Sequence, residues 1–336
     1  MYEKSISEIK SNLGENKELN KKYLSSQIEK YVDHPYNKEI TREISRMMWD
    51  CLTDEEQNEF AQISKNENQI IDILNEITPN IESGEYKTAL KKLDIFMESY
   101  SPMFEYDETS EYHFFTNLLE ELLFNKYIGA KKTVKYMPDN QPLLDLYYIY
   151  GFLLLETNQL DKSEEYLKKA IKINPVSSRI ILELCEIYKM HTYNYNKCYM
   201  YATDALKYAY FPQDIARSYR LLGQYYVEEN LLETAFALFR YSMEYEMSPI
   251  AYSEITYIQN KNINLSLEES IEIIKNKNIQ LGANPFILDT LEELSNEYEE
   301  NKLYSQALYF LRLQYNLTND EELIEKIENI QKLIKY

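Results

Sequence analysis

From Leu144 to Pro175 apolar side chains recur with the period of a helix. Tyr147, Tyr150, Gly151 and Leu154 fall at i, i+3, i+4 and i+7, which puts them on one face. Thr157-Asn158-Gln159 interrupts the pattern as a polar turn. Ser163, Leu167 and Ala170 resume the same spacing, and Asn174-Pro175 ends it. Proline has no backbone N–H to donate and clashes with the preceding helical turn. The segment therefore predicts two antiparallel helices. Small residues at Gly151 and Ser163 let the helices approach, and larger ones fill the space around them.

The scheme returns along the chain. Pro102, Pro138, Pro175, Pro212, Pro249 and Pro285 are separated by 36, 37, 37, 37 and 36 residues. Regular helix breakers imply regular helix boundaries, so the chain predicts a stack of two-helix units, a class that binds more often than it catalyses. Residues 251–285 keep the unit length with Ser270 and Ile274, but Ile258 stands where a small residue belongs. Residues 70–101 carry Gly84-Glu85-Tyr86-Lys87-Thr88-Ala89-Leu90 as a second half, while Pro79 predicts a stop or kink near Ile77. Residues 103–138 read as helical through Phe114, Leu118, Leu119, Leu122 and Leu123, without the small residues. Residues 1–64 predict three helices: Asp33-His34-Pro35 is a stop, and Thr53 looks like an N-cap before Asp54, Glu55 and Glu56. Ile324, Ile327, Ile330 and Leu333 give residues 320–336 an apolar stripe suited to covering the last unit.

Composition narrows the function. A net charge of -20 makes nucleic acid and anionic membrane poor partners, although residues 1–48 hold nine Lys/Arg against eight Asp/Glu. The longest apolar run, Leu143–Leu155, is too short to span a bilayer and contains Asp145. The N-terminus lacks the apolar core of a secretory signal, so the expected setting is the cytoplasm. Heavy use of Ile, Asn, Lys and Tyr suggests an AT-rich bacterial genome. Six glycines and no GxGxxG or GxxxxGK[ST] argue against a phosphate-cradling loop. His34, His113 and His191 form no ligand pattern, and Cys51, Cys185 and Cys198 no framework, so no metal, cofactor or catalytic site is expected. Cys185 and Cys198 fall at small positions facing each other across one helix pair, and are expected to be buried and reduced.

These residues resemble the tetratricopeptide repeat. That family's pattern of small and large positions is met by Gly151, Leu154, Ser163, Leu167, Ala170 and Pro175, and by Gly223, Tyr226, Ala235, Phe239 and Ser242, where Met247 replaces the proline. Ser295, Tyr298, Ala307 and Leu311 follow it, with Gln314 departing. Cys185, Tyr188, Cys198, Ala202 and Ala205 follow it after one inserted residue. The resemblance implies an all-α fold: a right-handed α-α superhelix of antiparallel helix pairs over residues 65–319, between a helical segment (1–64) and a capping helix (320–336). It also implies that first helices line a concave groove that holds a protein or peptide segment.

Carried onto this chain, the groove positions include Tyr148, Phe152, Arg179, Lys189, Arg217, Arg220 and Gln224. Three of the seven arginines fall there. A guanidinium offers a planar fork to a carboxylate, each such bond contributing about 1.5–3 kcal/mol when shielded. The expected partner is a protein or peptide with an acidic or C-terminal carboxylate group, unless these arginines only offset neighbours such as Glu186, Asp214 and Glu228. A different class of function is a peptide-responsive regulator using residues 1–64 as an effector module, although they show no helix-turn-helix reader. A homo-oligomer is compatible with the aromatic-rich flanks.

Overall fold

The computed structural model describes residues 2–31, 36–102, 108–137, 142–190 and 194–334. The chain divides into two compact units, Met1–Asp72 and Ile73–Tyr336. Among the described residues no helix is long and apolar enough to cross a membrane.

The first unit contains α1 (Tyr2–Ser11), α2 (Lys17–Lys30), α3 (Asn37–Cys51) and the start of α4 (Asp54–Glu82). Ile6, Ile9, Leu24, Tyr31, Ile40, Ile44, Met47 and Cys51 form its core. The expected stop at Asp33-His34-Pro35 lies outside the described residues. Thr53 does cap α4: its hydroxyl accepts from Glu56 N–H at 3.2 Å, and the Glu56 carboxylate accepts from Thr53 N–H at 2.7 Å. This reciprocal pair is a capping box. Pro79 does not end α4, which runs on to Glu82. The missing N–H removes one bond near the helix end, and the last turn is closed by Ser83 N–H donating to the Pro79 carbonyl at 3.1 Å.

In the second unit α5 (Tyr86–Ser99) follows a turn in which Gly84 takes a φ of 74°, the left-handed conformation glycine adopts without strain. The helices that follow the insert described below pack as successive neighbours in an all-α superhelical repeat arrangement. These are α7 (Leu143–Glu156) with α8 (Leu160–Ile173), α9 (Ser178–Met190) with α10 (Tyr195–Tyr208), and α11 (Pro212–Glu228) with α12 (Leu232–Ser242). The small-residue pattern explains their closeness. A Cβ on Gly151 would stand 2.7 Å from Leu167 Cγ, and one on Gly223 would stand 3.0 Å from the Phe239 ring. Ser163 fills its position and donates to the Gly151 carbonyl at 2.7 Å. Tyr147, Tyr150, Tyr188, Tyr219 and Tyr226 are core side chains, whereas Tyr298, at a repeat position of the same kind, is only partly buried. Cys185 and Cys198 are unpaired and buried, with Cys185 Sγ 3.1 Å from the Cys198 carbonyl. Burial pushes the Cys185 thiol well above its usual range, and the adjacent Cys198 adds to the shift.

Beyond the third pair the order changes. Helices α13 (Pro249–Gln259) and α14 (Leu267–Asn276) both pack against α12. The chain then crosses the end of α10: Gln280 Nε2 donates to the Leu206 carbonyl at 3.0 Å, and Asn284 Nδ2 to the Lys207 carbonyl at 3.1 Å. The Tyr219 hydroxyl donates to the Gln280 carbonyl and accepts from Gly282 N–H, both at 2.7 Å. This crossing delivers α15 (Pro285–Glu300), paired with α16 (Tyr304–Thr318); α17 (Glu322–Ile334) packs on α16 around Ala307, Leu311 and Ile330.

Residues 108–137 correct the expectation of a helical unit. They form β1 (Ser110–His113), α6 (Leu118–Tyr127) and β2 (Thr133–Tyr136), with β1 and β2 paired in parallel. Phe114 lies beyond β1 and outside any helix. The physical reason is local. Glu111-Tyr112-His113 precedes an aromatic pair and suits a strand. Asn117 starts α6 by accepting from Glu120 N–H at 3.1 Å, and Gly129 follows its end at a φ of 70°. Without small residues, α6 cannot serve as half of a close hairpin; it buries Leu119, Leu123 and Phe124 against the core of the unit instead.

Candidate functional site

Helices α7, α9 and α11 lie side by side, because each is the first member of a close pair and the pairs stack. Their N-terminal ends, with Thr116 and Glu120 of the insert and Tyr309 of α16, line a cavity of 360 Å³ that includes Asp145, Tyr148, Ser178, Arg179, Tyr210 and Asp214. The guanidinium of Arg179 stacks on the Tyr148 ring with 4.2 Å between its carbon and the ring centroid, and Arg179 Nε donates to the Tyr148 hydroxyl at 2.7 Å. Arg179 is exposed, and no carboxylate is within ion-pair distance of it among the described residues. Its remaining guanidinium nitrogens are thus open to a ligand. Burial pushes the Tyr148 hydroxyl up to about 12, with the charge of Glu183 adding to the effect and Arg179 opposing it.

The other predicted cations are placed differently. Arg217 forms a fork with the buried Glu183, at 2.8 and 2.9 Å, and lies 3.7 Å from Glu186. Burial works to lower the Arg217 pKa, but Glu183 outweighs it and holds the guanidinium above its usual range. Lys189 pairs with Glu186, and Arg220 Nη1 lies 2.8 Å from Glu246 Oε2. Gln224 is half-buried, with Oε1 lacking a hydrogen-bond partner. Phe152 meets Tyr86 edge-on at 5.6 Å between centroids and lies parallel to Tyr148 at 6.5 Å. The structure therefore brings Tyr148, Phe152 and Arg179 together as an aromatic and cationic patch. Arg217, Lys189 and Arg220 each already face a carboxylate.

In the sequence Asp145 stood out only as the acid inside the longest apolar run, and Asp214 only as a neighbour of the arginines. Asp145 opens onto the cavity and has no hydrogen bond or ion pair among the described residues. Asp214 accepts from the Ser178 hydroxyl at 2.6 Å. Burial raises the pKa of both; Arg179 opposes it at Asp145, and Ser178, Arg217 and Arg179 oppose it at Asp214. Burial likewise raises Glu156, with Glu183 adding to it. The cavity can thus receive a negative group at Arg179 and a positive or hydrogen-bond-donating group at Asp145.

A larger cleft of 960 Å³ had no sequence signal, because it is assembled from the insert and from α15 and α16, far apart in the chain. Phe115, Leu118, Tyr136, Met137, Tyr298, Tyr309 and Phe310 give it an aromatic lining. His113 also lines it; Nδ1 lies 3.0 Å from the Ile173 carbonyl, and Nε2, 3.5 Å from Glu111 Oε1, has no hydrogen-bond partner. His34 and His191 lie outside the described residues. No group of three or more His, Cys, Asp and Glu side chains is arranged for a metal among the described residues.

No protein-family model matches this chain, and no curated protein matches it.

Proposed function

We propose that this protein is a non-enzymatic scaffold or adaptor of the tetratricopeptide type, holding a segment of a partner protein or peptide against α7, α9 and α11. The exposed Arg179 guanidinium, stacked on Tyr148 over a cavity, is the observation that carries this reading. The repeat residues quoted above support the family resemblance. A carboxylate on the segment, from an acidic side chain or a C-terminus, binds Arg179; an amine or amide of the same segment faces Asp145. The unpaired cysteines and the AT-biased composition support action in a bacterial cytoplasm.

The test is to identify the segment that co-purifies from the native cell and measure its affinity for two variants. Arg179→Ala should weaken binding roughly tenfold, equivalent to about 1.4 kcal/mol, with the melting temperature unchanged. Arg217→Ala should instead lower stability by about 2 kcal/mol, because it leaves Glu183 buried and unpaired while Arg217 itself is partly exposed. Full affinity in Arg179→Ala would remove the groove assignment.

A second reading, a peptide-responsive regulator, is favoured by one observation: Met1–Asp72 is a compact unit with its own core. That reading requires the groove ligand to change what the first unit binds. Capture of a partner through residues 1–72 that is indifferent to the ligand would sink it.

A further inference from the structure

We propose that the outer edge of β2 and the aromatic cleft beside it form a second docking surface, which takes an extended acidic segment of a partner protein as a third strand.

The backbone geometry comes first. Among the described residues β2 has one strand neighbour, β1. Thr133 N–H donates to the Thr109 carbonyl at 3.0 Å and Met137 N–H to the His113 carbonyl at 2.8 Å. Backbone groups alternate sides along a strand, so residues 133, 135 and 137 face β1 while Val134 and Tyr136 turn their N–H and carbonyl groups outward. Thr133, Lys135 and Tyr136 are exposed. A pair of four-residue strands is short by any standard, and an added strand supplies partners for outward groups of Val134 and Tyr136 that have none among the described residues.

The cleft adjoins this edge, since Tyr136 and Met137 at the end of β2 belong to its lining. Tyr136 is 56% exposed although its hydroxyl donates to Glu121 at 2.7 Å. A strand laid beside β2 would carry alternate side chains toward Phe115, Tyr298 and Phe310, where an aromatic or branched apolar group fits.

Charge selects the occupant. In a chain of net charge -20, the stretch from Leu122 to Met137 has no acidic residue and four lysines, Lys126, Lys131, Lys132 and Lys135, all exposed. Three acids of the insert, Glu111, Glu120 and Glu121, have hydrogen-bond partners, while Glu108, ahead of β1, is exposed. Glu111 accepts from Lys131 N–H, Glu121 from Tyr136, and the buried Glu120 from Thr116 N–H, Asn174 and Tyr210. Lysines on an edge strand repel another edge of the same kind. The same lysines attract a strand that brings carboxylates. This surface is distinct from the Arg179 groove, and Tyr309 lines both cavities where they approach each other.

The experiment measures fluorescence anisotropy of a labelled peptide alternating glutamate with valine and phenylalanine, added to the full chain. Comparison peptides carry lysine for glutamate, or the acidic sequence with N-methylated backbone amides. The acidic peptide should bind saturably, and both comparison peptides roughly tenfold or more weakly. Val134→Pro removes an outward N–H on an edge, where proline is tolerated, and should weaken binding several-fold, as should Lys131→Glu with Lys135→Glu. A melting temperature equal to that of the parent chain shows that each variant is folded. Equal binding of the lysine peptide, undiminished binding by Val134→Pro, or no saturable binding of the acidic peptide each overturns the proposal. Concentration-dependent self-association lost in Val134→Pro would assign the edge to a second copy of this chain instead.

Discussion

The paired helices α7–α12 and the insert of residues 108–137 lie in one compact unit, and the insert shares a core with α9–α12, yet they are held in place by different means. The pairs fit by shape: Gly151 against Leu167, Gly223 against Phe239, and Ser163 in the gap between. The insert also buries Leu119, Leu123 and Phe124, but a hydrogen-bond network positions it. Glu120 gathers Thr116 N–H, Asn174 and Tyr210, and Asn117 Nδ2 reaches the Tyr210 and Tyr309 hydroxyls at 3.1 and 3.3 Å. Tyr127 and Asn284 exchange a further bond. Shape complementarity is written in residues at helical spacing. A network of this kind is written in residues scattered over the whole unit.

If that contrast holds, removing bulk from a pair should do the most damage. Leu167→Ala should lower unfolding free energy by about 3–5 kcal/mol, since the side chain is fully buried against Gly151. Gly151→Ala should cost about 1–3 kcal/mol in the parent chain and much less in the Leu167→Ala background, where the new methyl has room. Equilibrium denaturation of the four proteins checks this, and additive effects would break the shape argument. Tyr210→Phe should be milder, about 1 kcal/mol, because Glu120 keeps its other partners. Hydrogen exchange should then quicken over residues 108–137 while α7–α12 stay protected; uniform quickening would erase the distinction between the two regions.

The smallest effect concerns Asp145. Its folded pKa is raised, so the proton is held more tightly in the folded state. The stability it contributes is therefore full below its unfolded pKa of about 3.9 and is lost as pH rises through the folded value. Asp145→Asn should raise the melting temperature slightly at neutral pH, and the gain should vanish in acid. A gain that persists in acid would assign the effect to something other than ionisation.

The contrast also explains what could be read from the chain alone. The close pairs were legible because each is encoded locally: Gly151, Ser163, Leu167 and Ala170 sit within one unit at fixed spacing. Tyr148, Phe152 and Arg179 were singled out by the same local spacing, and the structure brings them together. The pairing of Arg217 with Glu183 was not, because Glu183 falls between groove positions on α9 and meets Arg217 only when neighbouring first helices lie side by side. The insert misled because Leu118, Leu119, Leu122 and Leu123 do form a helix, but Phe114 and the strands on either side answer to partners elsewhere. Pro79 misled because a proline's cost depends on where its helix ends, and α4 ends only three residues later.

The bond between Asn117 and Tyr309 spans 192 positions, and that between Tyr127 and Asn284 spans 157. An open array of repeats can form one unit at a time, each resting on its neighbour. Here the seat of an early segment is completed by a late one. As the chain leaves the ribosome, residues 108–137 must wait for Asn284 and α16 before the bonds of Tyr127 and Asn117 are complete. Synthesis order thus gives this molecule a vulnerable interval that its finished form conceals, and its closing step is the arrival of Tyr309.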